Sequence, residues 1–143
     1  MSALTTNARP MRSGAWRWLA GGLAAAFGLA TLAEGGHVLF AGAGARAEAG
    51  NVVPFVLVFN FSAAFVYVLA GAATLARRRW AVWLARALAV TTVLVFGAFG
   101  AHVMQGGAFE LRTVIAMTIR SAFWIAQALV LPRLLSEGGG EHE

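Results

Sequence analysis

Four long apolar stretches, at residues 16–40, 53–76, 80–104 and 109–131, constrain this chain more than any other feature. Each approaches or exceeds the roughly 20 residues that an α-helix needs to cross a 30 Å hydrocarbon core. The runs are rich in Ala, Leu and Gly and show no period-two alternation, so membrane strands are excluded. Of the 143 residues, 59% are hydrophobic and only 12% are charged. Soluble domains carry about a quarter charged residues. Too few polar side chains remain to cover a water-facing surface, so lipid is the solvent. The expected fold is an all-α integral membrane protein, a four-transmembrane-helix bundle with the lipid bilayer as its first partner.

Charge between the runs sets the expected topology. Every basic residue is Arg. Arg9, Arg12 and Arg17 precede or open the first segment, Arg77, Arg78 and Arg79 separate the second from the third, and Arg133 follows the fourth. The other two loops pair Arg46 with Glu48 and Glu110 with Arg112, and are close to neutral. The positive-inside rule then places both termini in the cytoplasm and the protein in the cell inner membrane. Trp16, Trp18, Trp80 and Trp83 form an aromatic belt on the same side. A net charge of +5 does not imply nucleic acid, because the arginines flank apolar segments instead of forming a soluble basic face. A cleaved signal peptide ending near Ala45-Arg46-Ala47 competes for the first segment. Its length, and Glu34 and His37 within it, argue against cleavage.

The expected organisation is a cytoplasmic N-terminal tail at 1–15, a transmembrane domain at 16–135 and a disordered cytoplasmic tail at 136–143. Pro54 is expected to open the second helix and Pro132 to close the fourth. Small residues at Gly21, Gly22, Ala25, Ala26 and Gly28, and at Gly97 and Gly100, should allow close packing within the bundle or against a homodimer partner. Gly36-His37-Val38 recurs as Ala101-His102-Val103, each followed by a small-residue stretch and an Arg/Glu pair. If this is a duplication, the bundle is two tandem helix hairpins with His37 and His102 as symmetry mates.

Ionisable groups inside the membrane are costly and face the bundle interior. Thr31, Glu34 and His37 share one helix face. Glu110, Thr113, Met117, Arg120, Trp124 and Gln127 follow three-four spacing on the last helix and should also face inward. Arg120 lies near the midplane and does not deprotonate, so it needs acceptors. Glu34 is the expected partner, with Asn60 and Gln127 completing a buried polar network. Arg86 and Arg112 are read as interfacial anchors. His37 and His102, at comparable depth, with Glu34 one turn below, make a candidate site for a divalent metal. With Glu34 left out, the two histidines are a candidate ligand pair for a b-type haem. A di-iron site lacks its second Glu-x-x-His motif. There is no cysteine, which excludes thiolate chemistry. No nucleophile stands beside a base, and no phosphate loop is present.

In length and helix count the chain resembles the small multidrug resistance exporters. Those carry an essential Glu near the middle of the first helix, whereas Glu34 lies late in its own. The first reading is a small multi-pass accessory protein or subunit without catalysis, working beside other membrane subunits. The alternatives are an ion, metal or small-solute binding or transport bundle using Glu34, His37 and His102, or a haem-bearing membrane anchor.

Overall fold

A computed structural model describes residues 13–136. It contains five helices: α1 (Ser13–Phe40), α2 (Ala43–Ala49), α3 (Pro54–Leu75), α4 (Trp80–Met104) and α5 (Leu111–Ser136). α1, α3, α4 and α5 are the four apolar segments, each long enough to cross a membrane. No strand occurs among the described residues. The expected tails fall largely at 1–12 and 137–143, outside the described residues.

Pro54 is the first residue of α3, where its missing N–H removes no intrahelical bond. Pro132 does not end the last helix as expected; α5 continues through it to Ser136. A proline this close to a helix end forfeits one backbone bond, and its fixed φ is itself helical.

The long helices run antiparallel in the ring order α1, α3, α4, α5. α1 packs chiefly on α3 and α4 on α5, with α3 against α4 and a lighter contact of α1 with α5. The α1–α3 seam is the closest, and glycine explains it. A Cβ on Gly71 would stand 2.6 Å from the backbone nitrogen of Ala25 and 2.7 Å from the carbonyl oxygen of Gly21. A Cβ on Gly28 would stand 2.8 Å from the backbone nitrogen of Val68. Without side chains at these points the two backbones touch, and dispersion replaces the hydrophobic drive that lipid does not supply. Gly22 on α1 and Gly97 and Gly100 on α4 have open space where a Cβ would go, so they take no part in close packing within this bundle.

Aromatic rings fill the middle. Tyr67 on α3 meets Trp124 on α5 with ring centres 4.7 Å apart, and both are fully buried. Phe27 on α1 meets Phe123 edge-on at 5.1 Å. A second cluster of Val53, Val56, Phe99 and Met117 packs nearer the end that carries α2. The α5 face turned to this core is Met117, Arg120, Ser121, Trp124, Gln127 and Leu131. Trp16, Trp18, Trp80 and Trp83 are exposed at the other end, where α1 and α4 begin.

Candidate binding cleft

α2 is an element that hydropathy does not mark. Its seven residues are flanked by Gly42 at φ 92° and Gly50 at φ 72°, backbone conformations that side chains disfavour. The short helix is held by the start of α5. Arg112 Nη2 donates to the carbonyl of Glu48 at 3.3 Å and to the carbonyl of Ala49, at the C-terminal end of α2, where a cation is favoured. Glu110 Oε1 accepts from the Asn51 backbone N–H at 2.8 Å and from its side-chain amide at 3.2 Å. Gly50 lies so close to this carboxylate that a Cβ would overlap it. Arg46 turns back to the Leu39 carbonyl at 3.2 Å. The two Arg/Glu loops noted in the sequence therefore clasp each other, and Arg112 is part of the clasp.

Beneath α2 the bundle holds a cleft of about 440 Å³. α1 contributes Thr31, Glu34 and His37 to its walls. α3 contributes Val53, Val56 and Asn60, and α5 contributes Arg112, Thr113, Ala116 and Arg120. The polar groups are graded by depth. At 1.5 Å per residue His37 lies about 4–5 Å from the end of α1, Glu34 about 9 Å, and Arg120 about 14 Å from the start of α5. That puts Arg120 near the middle of a 30 Å core.

The Arg120 side chain is 8% exposed and that of Glu34 is 73% exposed. Arg120 Nη2 stands 3.9 Å from Glu34 Oε2, an ion-pair distance too long for a hydrogen bond. The same nitrogen donates to Thr31 Oγ1 at 3.4 Å, and Nε is buried with no partner among the described residues. The guanidinium also lies 5.6 Å over the Phe27 ring, a favourable cation–π placement. Phe27, Thr31 and Glu34 share one face of α1 through their four- and three-residue spacing. That spacing could have marked Phe27 and Thr31 as partners of Arg120 alongside Glu34.

The other expected network members are dispersed. Asn60 lines the cleft but donates to Met117 Sδ at 3.5 Å, and its Oδ1 is buried without a partner among the described residues. Gln127 lies two turns beyond Arg120, is buried, and donates to the Ala20 carbonyl at 2.9 Å. It does not line the cleft.

His37 lines the cleft and His102 does not. The His102 ring folds over its own loop, with Nε2 3.2 Å from the Ala108 carbonyl and the ring edge-on to Phe55 at 6.3 Å. Gly107 makes this fold-back feasible, since a Cβ there would overlap the imidazole. α1 and α4 are not paired in the bundle, so equal depth does not bring the histidines into one pocket. Among the described residues no group of three or more His, Asp or Glu is placed to hold a metal ion. The ligand set of His37, His102 and Glu34 expected from the sequence is therefore not assembled in this arrangement.

The chain matches no protein family, no curated protein and no solved structure.

Proposed function

We propose that this membrane protein is a solute-binding bundle, and that the cleft beneath α2 is where a small polar solute enters. One observation carries this reading. A cleft of about 440 Å³, within the usual range for ligand sites, reaches from the loop end to a buried, incompletely paired arginine. An ionisable group at that depth is costly, and such groups commonly mark solute or ion pathways. The reading keeps Glu34 and His37 from the binding or transport alternative and leaves His102 outside the site. Arginine asymmetry further supports an inner-membrane location, with the loop end facing away from the cytoplasm.

The absence of cysteine allows a direct test. Ala116 lines the cleft, whereas Ala122 is exposed on α5 outside it. In single-cysteine variants, a membrane-impermeant methanethiosulfonate should modify Ala116→Cys at least about tenfold faster than Ala122→Cys, because the reactive thiolate forms where water reaches it. Equal, slow modification of both would show a closed, dry bundle and would remove the binding reading.

A further inference from the structure

Resting on the solute-binding reading, we infer that the cleft recognises an oxyanion, a carboxylate or phosphate group, and that Arg120 holds it in exchange for Glu34. Arginine stays charged at any depth and presents five N–H donors in a planar fork suited to two oxygens at once. Little of that capacity is used here. Arg120 makes one long hydrogen bond, to Thr31 at 3.4 Å, and its Nε is buried and unpartnered among the described residues. The carboxylate nearest to it is 3.9 Å away on a side chain that is 73% exposed.

A structural ion pair at mid-membrane would have its carboxylate enclosed and bonded to the fork. Glu34 is instead a loosely held counter-ion that water can take over when another anion arrives. The exchange conserves charge in the low-dielectric part of the bundle: one carboxylate leaves the guanidinium and one oxyanion replaces it. Arg112, the other arginine on the cleft wall, is committed to the carbonyls of Glu48 and Ala49. Arg120 is thus the lining cation with donors to spare. Asn60 Oδ1, on the opposite wall, is buried and has no partner among the described residues.

The same chemistry is presented by a free hydroxy-acid or phosphate and by the headgroup of an anionic phospholipid. The test uses Ala116→Cys protein and reads protection from thiol modification. One arm adds inorganic phosphate or lactate to protein in phosphatidylcholine nanodiscs. The other compares phosphatidylcholine nanodiscs with discs containing phosphatidylglycerol, with no added anion. Protection in the first arm identifies a soluble ligand, and protection in the second alone identifies a lipid headgroup. Either supports the inference when Arg120→Gln abolishes the protection. Glu34→Gln, which leaves the arginine in place, should strengthen it. Its half-protecting concentration should fall by about threefold or more, the scale of losing a weak, solvent-exposed ion pair. A reactive Ala116→Cys with no protection in either arm overturns the oxyanion inference and leaves the cleft standing. Unchanged or weaker protection in Glu34→Gln overturns the exchange. An Ala116→Cys that never reacts removes the cleft itself.

Discussion

Arg112 and Arg120 stand eight positions apart on one helix, yet their surroundings give them opposite tasks. Arg112 spends its donors on the carbonyls that end α2, so it secures a loop. Charge-assisted bonds of this kind contribute about 1.5–3 kcal/mol when well formed. Arg112→Ala should therefore release α2 locally without unfolding the bundle. Amide exchange at residues 43–51 is expected to quicken by about tenfold, equivalent to about 1.4 kcal/mol of local opening, while α3 and α5 keep their protection. Exchange that is unchanged at α2 would mean the clasp does not hold it. Thr31 and Phe27 complete the surroundings of Arg120, and both could be reached from the sequence, since helical spacing places them on the Glu34 face. The partners of His102 could not. Its acceptor is a loop carbonyl six residues on, and which way an imidazole turns depends on a glycine that leaves it room.

At the scale of elements, glycine on α1 and α3 has a measurable consequence that glycine on α4 lacks. Gly71→Ala pushes a Cβ against the α1 backbone, and backbone cannot swing aside as a side chain can. It should destabilise the bundle by about 1–3 kcal/mol in detergent unfolding. Gly97→Ala meets open space and should be neutral, or stabilising by up to about 1 kcal/mol through helix propensity. Equal effects of the two changes would contradict the seam. Apolar length is a local property, and it made all four spans legible from composition alone. The inward face of α5 was legible for the same reason from Met117 to Gln127, through its three-four stripe, whereas Glu110 at the head of that stripe precedes the helix and turns to Asn51. α2 was not. Seven residues of AGARAEA have no apolar period, and side chains arriving from α5 hold them. Nor does a sequence show which glycines find a neighbour, so Gly97 and Gly100 read like Gly21 and Gly28.

For the whole molecule, adjacency was the quantity hidden from the sequence. Depth follows from counting residues, and it correctly puts His37 and His102 late in helices of the same direction. Neighbourhood follows from ring order, and α1 pairs with α3 and α5 instead of α4. Charge gives the bundle a second global property. Among the described residues, Arg17, Arg77, Arg78, Arg79, Arg86 and Arg133 all belong to the end where α1 begins and α5 finishes, with no Asp or Glu beside them. At the other end Arg46 and Arg112 are offset by Glu48 and Glu110. An impermeant thiol reagent added outside intact cells should label Ala43→Cys in the α1–α2 turn. Labelling from the cytoplasmic face alone would reverse the orientation.

The seam between α1 and α3 is complete once the first 75 residues exist, well before the ribosome reaches Arg120. This order matters for biogenesis. An arginine halfway along a lone apolar helix is expensive to transfer from translocon to lipid. By the time α5 emerges, the leading hairpin can already present Thr31, Glu34 and Asn60 along one flank. The nascent last helix then partitions against a polar surface instead of bare hydrocarbon. Synthesis from the N-terminus thus lets the leading half act as an insertion template for the trailing half.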